Sequence, residues 1–229
     1  MMLESIHLTK NYLNKKALDD VSIKLEKGQI YALLGPNGSG KTTWMKTAAG
    51  LTKPTSGEML YNGSPVGIES RREIAYMSTE PYFFHWMTVG DVGEYYQDFF
   101  EDFSSDRYRE LLTEMALTED MKVRQLSSGM AAKLKIAATM ARKASIFLLD
   151  EPLNGIDLIA RDHIMDAVIS SMENPVTMVI SSHLVEEIES FASKAVFLRD
   201  GSAVEVCDVE DLRIREGKSL AYKYREIME

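Results

Sequence analysis

The stretch LLGPNGSGKTT at residues 33–43 indicates the fold class of this 229-residue chain. It fits the pattern G-x-x-x-x-G-K-[ST] through Gly35, Gly40, Lys41 and Thr42. It follows a short apolar run, QIYALLG, and opens the segment KTTWMKTAAGL, which has helical spacing. A strand that passes through a glycine-rich turn into a helix is the setting in which this pattern forms a phosphate-binding loop.

The composition of this loop suits the phosphates of a nucleoside triphosphate. Glycines let the backbone curl so that successive N–H groups face one anion, and the N-terminus of the following helix adds its positive end. Lys41 can reach the β- and γ-phosphates, and the Thr42 hydroxyl can ligate Mg²⁺. The predicted nucleotide-binding residues of the loop are Gly35, Pro36, Asn37, Gly38, Ser39, Gly40, Lys41, Thr42 and Thr43.

A second motif, ASIFLLDEP at residues 144–152, is an apolar strand-like run that ends in two carboxylates. In phosphate-loop NTPases an acidic residue at such a strand end supports the Mg²⁺ shell, and Asp150 fits that role. Glu151 is then placed to orient or deprotonate a water that attacks the γ-phosphate. A solvated acidic turn is the alternative for Asp-Glu alone, but the phosphate loop favours the catalytic interpretation. We therefore predict Thr42 and Asp150 as metal ligands.

The order of the predicted elements indicates an α/β protein. The runs LESIHLT and ALDDVSIKLEKG alternate like an antiparallel pair, and short strands are predicted at Gly57–Tyr61 and Ile74–Met77. Three helical segments follow, and then strands and helices alternate, which favours a mostly parallel core. The later predictions are strands at SIFLLD, VTMVISS, AVFLRDG and SAVEVCD and helices over 158–171 and from Leu184.

We expect a single domain over residues 1–229 with a phosphate-loop NTPase (RecA-like) core. The α/β core comprises 1–87 and 143–229, including an N-terminal antiparallel β subdomain. An α-helical subdomain over 88–142 is inserted into it.

The charge balance, the cysteine content and the hydropathy of the chain exclude several kinds of partner and structure. The chain has 35 acidic and 26 basic residues and a net charge of −9, so nucleic acid, which usually needs a basic face, is not an expected partner. One cysteine, Cys207, excludes an intrachain disulfide. No stretch approaches about 18 uninterrupted apolar residues, so the chain itself is not expected to span a membrane, although it could dock onto a membrane protein.

Taken in order, the motifs resemble those of the nucleotide-binding subunit of ABC transporters over almost the whole chain. In that family an aromatic side chain stacks on adenine, and Tyr12 in KNYLNKKALDDVS occupies its place. LSSGM at 126–130 resembles the signature loop LSGGQ, LNGID at 153–157 resembles the D-loop, and SSHL places His183 at the switch histidine. With the phosphate loop and FLLDEP, six motifs occur in the family's order.

The resemblance implies ATP and Mg²⁺ as ligands and a reaction that needs two subunits. Each ATP would lie between the phosphate loop of one subunit and the signature loop of the other, where Ser127 and the N–H of Gly129 contact the γ-phosphate. Ser128 keeps its N–H, so the anion site survives there if φ is negative. A serine N-cap is a compatible interpretation of LSSG, because capping and anion binding use the same free N–H groups. The implied catalytic residues are Lys41, Glu151 and His183.

Three motifs depart from the family pattern. Ser128 and Met130 replace a glycine and a glutamine, and this LSxGM form resembles a branch of small bacterial subunits that serve exporters. Thr79 stands where the family expects a glutamine, and its side chain is too short to copy the reach of that residue. The D-loop begins Leu153-Asn154 where Thr-Ser is more usual.

The resemblance implies two partners, a second ABC subunit, identical or homologous, and a separate transmembrane permease. We expect this chain to be cytoplasmic and to be held at the inner face of the cell membrane through that permease. The aromatic run PYFFHWMTV either packs in the core or forms a groove for a short helix of that permease. Two alternative functions remain. One is a weakly active subunit that works with a more active partner, and the other is a soluble phosphate-loop kinase.

Overall fold

The computed structural model describes residues 2–170 and 176–229. Within them the chain forms two sheets, one of four strands in the order β2-β1-β4-β5 and one of six in the order β10-β9-β3-β8-β7-β6. The strands are β1 (Leu3–Tyr12), β2 (Lys15–Leu25), β3 (Ile30–Leu34), β4 (Ser56–Tyr61), β5 (Ser64–Pro65), β6 (Ile74–Met77), β7 (Ile146–Asp150), β8 (Thr177–Ser182), β9 (Lys194–Arg199) and β10 (Ser202–Asp208).

The helices lie between these strands and after them. They are α1 (Lys41–Ala48), α2 (Ile68–Glu73), α3 (Val89–Phe99), α4 (Ser105–Glu114), α5 (Ser128–Met140), α6 (Leu158–Ser170), α7 (Val209–Arg215) and α8 (Leu220–Met228).

The six-stranded sheet is the centre of the molecule. β6, β7, β8, β3 and β9 are parallel, and β10 is antiparallel to β9 at one edge. Alternate residues of a strand face opposite sides of a sheet, and both sides are covered here. In β3, Tyr31 and Leu33 join the apolar cluster that contains α1 and the antiparallel sheet, whereas Ala32 and Leu34 join the cluster that contains α3, α4 and α5. This double burial explains why QIYALLG is almost uniformly apolar.

The segment 88–142 contains α3, α4 and α5, as predicted. Each begins after a hydroxyl N-cap, where Thr88, Ser104 and Ser127 accept hydrogen bonds from backbone N–H groups of the first turn. Their buried side chains belong to the same apolar cluster as one face of the six-stranded sheet. The proposed division of the domain at residues 88 and 142 stays a prediction.

The fold class and the predicted strands are confirmed, but the α-helix predicted from Leu184 is wrong. The chain forms a short 3₁₀-helix at Val185–Glu187 and then turns. Ile188 and Phe191 donate backbone hydrogen bonds to carbonyls three residues back. At Ser193 the backbone N–H bonds the Ile30 carbonyl, which draws the chain into β9 before an α-helix can extend. Residue 171, the end of the helix predicted over 158–171, lies outside the described residues.

Candidate active site

A cleft of about 540 Å³ opens at the carboxyl ends of β3, β7 and β8. Ligands of open α/β sheets bind at this edge, because the loops that follow parallel strands converge there. The phosphate loop, the Asp150–Glu151 pair and His183 meet at this cleft although they are far apart in sequence. Its lining residues are Tyr12, Lys15, Ala17, Asn37, Gly38, Gly40, Lys41, Thr42, Thr43, Lys46, Ser78, Thr79, Glu80, Asp150, Glu151, Asn154 and His183.

The lysine of the phosphate loop, Lys41, stabilises the loop by hydrogen bonds to its backbone carbonyls. Lys41 is 6% exposed, and its Nζ donates to the Gly35 carbonyl at 2.7 Å and to the Pro36 carbonyl at 3.2 Å. Burial lowers the pKa of Lys41, and the nearby Glu151 and Asp150 carboxylates oppose that shift. The ammonium group therefore lies at the bottom of the cleft with carboxylates as its charged neighbours.

The first turn of α1 is open to an anion. Gly40 precedes the helix with φ +107°, and no side chain of the described residues caps the turn. A Cβ at Gly40 would lie 2.7 Å from the Ala17 carbonyl oxygen, so both its conformation and its close contact require glycine. In contrast to α3, α4 and α5, the free N–H groups of this helix have no serine or threonine cap, as expected where a phosphate takes that place.

Asp150 ends β7 and is fully buried. Ser181 Oγ donates to its Oδ1 at 2.6 Å, and the Tyr76 hydroxyl lies 3.4 Å from its Oδ2. The same Ser181 Oγ accepts the Glu151 backbone N–H at 2.9 Å. Ser181 thus fixes both carboxylate residues, and sequence analysis missed it. The signal was its position near the end of an apolar strand, two residues before the predicted switch histidine.

Glu151 connects the lysine and the histidine. Its Oε1 lies 3.6 Å from Lys41 Nζ, and its Oε2 lies 3.0 Å from His183 Nδ1. The Glu151 backbone has φ +49°, an uncommon conformation for a residue with a side chain. Such conformations persist where the surrounding structure fixes them and are concentrated at functional sites. Here the fixed turn directs the carboxylate toward Lys41 and His183.

The other predicted phosphate-loop residues divide into two groups. Asn37, Gly38, Thr42 and Thr43 line the cleft, whereas Gly35, Pro36 and Ser39 do not. The Gly35 and Pro36 carbonyls accept the Lys41 hydrogen bonds instead. Ser39 Oγ is buried and makes no hydrogen bond within the described part of the chain. Tyr12 lines the cleft mouth and is 45% exposed, with Lys10 Nζ 4.9 Å from the centre of its ring.

The residues of the signature-like loop LSSGM lie outside this cleft. Of the residues that the structure places around this cleft, none is Ser127, Ser128 or Gly129. Ser127 caps α5 through its Oγ, which accepts the Met130 N–H at 3.2 Å, and Ser128 is the first helical residue, so φ is negative there. A Cβ at Gly129 would lie 2.7 Å from the Gly155 carbonyl oxygen, so α5 packs tightly against the 153–157 loop of the same chain.

Thr79 and Lys135 form a further polar link beside the cleft. Thr79 Oγ1 donates to the Asp150 carbonyl at 3.1 Å. Lys135 Nζ, from α5, donates to the Ser78 carbonyl at 2.9 Å and to the Thr79 carbonyl at 2.8 Å. Nothing in the sequence of α5 marked Lys135, because the contact joins residues 56 and 57 positions apart.

The donor set fits a nucleotide-bound Mg²⁺. The described residues contain no group of three or more His, Cys, Asp or Glu side chains that could hold a metal ion alone. Mg²⁺ in nucleotide sites usually needs only one or two carboxylates besides water and phosphate oxygens. Thr42 and Asp150 both line the cleft and supply the hydroxyl and the carboxylate for such a site.

A family model, curated relatives and solved structures all show similarity of this chain to ATP-binding proteins of ABC transporters. The family described as ABC transporter matches residues 18–154. YcbN, an uncharacterized ABC transporter ATP-binding protein of Bacillus subtilis (strain 168), is 36% identical over 212 residues, covering 90% of this chain and 69% of that protein. The lantibiotic transport ATP-binding protein SrtF of Streptococcus pyogenes is 31% identical over 205 residues, 89% of each chain. A solved ATP-binding subunit of an ABC transporter superposes with a TM-score of 0.87 at 25% identity over all of both chains.

Proposed function

Since this chain belongs to the ABC transporter family of ATP-binding proteins, we propose that it hydrolyses ATP as one half of a dimer and drives a separate membrane-spanning exporter. The observation that carries the proposal is the convergence of Lys41, Glu151 and His183 beside the buried Asp150. An ammonium group, a candidate base and an imidazole at one phosphate-binding helix are the groups that γ-phosphate hydrolysis needs.

The roles follow from the positions of these groups. Lys41 and the first-turn N–H groups of α1 bind phosphate oxygens, and Tyr12 receives the adenine at the cleft mouth. Thr42 and Asp150 would hold Mg²⁺, which would supply positive charge to neutralise the phosphates. Glu151 accepts a proton from the attacking water, and His183, 3.0 Å from Glu151 Oε2, holds the water and the γ-phosphate in place.

The position of residues 127–129 supports a dimer. These residues lie outside the cleft of their own chain, and the Ser127 cap accepts the Met130 N–H. The other first-turn N–H groups of α5 are the kind that a helix N-terminus offers to an anion. In a two-fold dimer the α5 N-terminus of one subunit faces the phosphate loop of the other, and two ATP molecules lie in the interface. The two subunits are either copies of this chain or homologues.

A pair of Ser127 substitutions tests whether Ser127 faces the γ-phosphate of the ATP bound by the other subunit. Asp and Asn are both good N-caps, so Ser127→Asp and Ser127→Asn should keep α5 intact. We expect Ser127→Asp to reduce ATP turnover by at least about 100-fold, because a carboxylate facing the γ-phosphate of the partner repels it by several kcal/mol. Ser127→Asn, the neutral control, should retain far more activity. The measurement is phosphate release with ATP and Mg²⁺ and without an acceptor.

Equal activity of the two Ser127 variants would leave Ser127 as a helix cap only. ATP turnover without an acceptor also distinguishes this proposal from a soluble phosphate-loop kinase, which needs one.

An aromatic surface supports a membrane partner. We define it as Tyr82, Phe84, Trp86, Tyr95 and Phe99, all exposed. The rings of Phe84 and Trp86 are stacked with centroids 5.7 Å apart, and those of Tyr95 and Phe99 lie 4.6 Å apart. A cavity of about 200 Å³ lies near it, lined by Ala49, Leu51, Arg71, Ile74, Ala75, Tyr76, Tyr96, Phe100, Thr139 and Arg142.

The run PYFFHWMTV packs only partly in the core, and its role as a groove for the permease stays a proposal. Phe83 packs against the core and Met87 is buried, whereas Phe84, His85 and Trp86 are exposed. Exposed apolar surface of this kind is typical of a protein interface. We infer that the aromatic surface and the neighbouring cavity receive a short helix of the permease. In the described residues no helix has both the length and the apolar character needed to cross a membrane.

Trp86→Ala tests the membrane interface. Trp86 is 70% exposed, so its removal should leave the melting temperature within about 1 °C while copurification with the permease is lost. The measurement is pull-down of a co-expressed membrane protein from the neighbouring reading frame, together with a melting curve. Ile214→Ala, an equally exposed apolar residue on α7, is the matched control and should keep the complex. Unfolding of Trp86→Ala, or unchanged copurification, contradicts this role.

One observation favours a weakly active subunit as a second candidate. The Thr79 hydroxyl donates to the Asp150 carbonyl at 3.1 Å, and the side chain is shorter than the glutamine that the family has at this position. The turnover rate of the chain alone, compared with that of a mixture with a homologous subunit, distinguishes the two candidates.

A further inference from the structure

Lys135 is a half-buried lysine that the proposed mechanism does not use. It lies on α5, seven residues after Ser128, which is about two helical turns or roughly 10 Å along the axis and nearly the same face. Its Nζ donates to two successive carbonyls, those of Ser78 and Thr79. Charge-assisted hydrogen bonds of this kind are about twice as strong as neutral ones, so the ammonium group fixes the backbone at this point.

The two carbonyls belong to a loop that borders the cleft. Ser78, Thr79 and Glu80 follow β6 and line the cleft, whereas Lys135 does not. Thr79 continues the link, since its Oγ1 donates to the Asp150 carbonyl at 3.1 Å. A continuous chain of hydrogen bonds therefore runs from α5 through Lys135 and Thr79 to the backbone carbonyl of Asp150, the proposed metal ligand.

Burial of the Lys135 ammonium is compensated by its surroundings. Desolvation lowers the pKa of Lys135, and the charge of Asp150 opposes the shift. Burial of an ammonium group costs free energy unless the group is hydrogen-bonded. A lysine that only filled space here could therefore be replaced by an apolar side chain without loss of stability. Its paired carbonyl acceptors give it a specific geometric role.

We propose that Lys135 is a positioning residue that couples the signature helix α5 to the loop 78–80 and, through Thr79, to Asp150. The inference rests on the proposed ATPase function. In this chain Thr79 replaces the longer glutamine of the family, and the lysine supplies from α5 the contact that holds the loop. The position of α5 therefore fixes the loop 78–80 and, through Thr79, the backbone of Asp150.

Lys135→Met tests this link, because methionine keeps an unbranched side chain of nearly the same length and removes the donors. We expect kcat for ATP hydrolysis to fall at least about tenfold, since misplacement by 1 Å near the chemistry can cost on the order of 100-fold. The KM for ATP should stay within about twofold, because Lys135 does not line the cleft. In the nucleotide-free protein, amide hydrogen exchange at residues 78–80 should become faster.

Lys133→Met is the matched control. Lys133 lies two residues earlier on α5, about 200° around the helix, and should show unchanged kcat and exchange. Thr79→Val, which is close to isosteric and removes only the hydroxyl bond to Asp150, should lower kcat as Lys135→Met does. The double variant should be no worse than the more damaged single variant, because both changes break one path.

A kcat for Lys135→Met equal to that of Lys133→Met overturns the inference while leaving the ATPase function intact. Additive losses in the double variant also overturn it. If Lys135→Met does not fold, Thr79→Val alone decides: a lower kcat with an unchanged melting temperature supports the link, and an unchanged kcat refutes it. Absence of ATPase activity in the unmodified protein would instead contradict the proposed function, and the exchange measurement would still report on the contact.

Discussion

Glu151→Gln is expected to abolish ATP turnover and to trap an ATP-bound dimer. The amide keeps the size of the side chain but cannot accept the proton of the attacking water, and loss of a positioned general base costs roughly 10²- to 10⁴-fold. ATP binding should persist, because Lys41 keeps its bonds to the Gly35 and Pro36 carbonyls. The removal of one negative charge from the cleft further favours the bound triphosphate.

Two measurements check this result. Phosphate release should fall to background, and size-exclusion chromatography with ATP and Mg²⁺ should show a dimer that the unmodified protein does not accumulate. Glu186→Gln, an exposed carboxylate three residues after His183, is the matched control and should hydrolyse ATP normally. Robust hydrolysis by Glu151→Gln would remove Glu151 as the base.

Lys41→Ala should have the second largest effect, on binding as well as on turnover. The change removes the ammonium group at the bottom of the cleft, and hydrogen bonds to charged groups contribute roughly 1.5–3 kcal/mol each, so ATP affinity should fall at least about tenfold. It also frees the Gly35 and Pro36 carbonyls that hold the phosphate loop. Phosphate release should therefore be lost at any ATP concentration in the physiological range.

The measurement for Lys41→Ala is the rise in melting temperature on adding ATP, since a ligand that binds only the native state stabilises it. That rise should vanish in the variant. Lys16→Ala, an exposed lysine paired with Asp19 on β2, should keep the full rise. A variant that still responds to ATP like the unmodified protein would contradict the role of Lys41.

The strands and the phosphate loop were predictable because their signals are local. The alternation of β1 and β2, the apolar run of β3 and the glycine spacing before α1 each depend on neighbouring residues alone. The helix predicted from Leu184 failed for the opposite reason. Its sequence permits a helix, but a backbone bond from Ser193 to Ile30, 163 positions away, begins the return to the sheet and leaves room only for short turns.

The candidate site shows the same division. Its phosphate-loop residues and the Asp150–Glu151 pair were predicted from spacing, and the resemblance added Tyr12, Ser127 and His183. Ser181, which bonds both Asp150 and the Glu151 backbone, and Lys135, which bonds the loop at Thr79, were not. No periodicity marks them, because their roles exist only once separate elements have packed together.

By itself the sequence determined the fold class and predicted the type of ligand and the residues expected to meet it, since these depend on short motifs with fixed backbone chemistry. The tertiary structure decided how the groups are arranged. In the folded chain Glu151 has a left-handed backbone conformation and lies between Lys41 and His183. Gly129 packs against Gly155, and hydrogen bonds of Lys135 and Thr79 connect α5 to Asp150. These features depend on distances between chain segments, which spacing along the sequence does not encode.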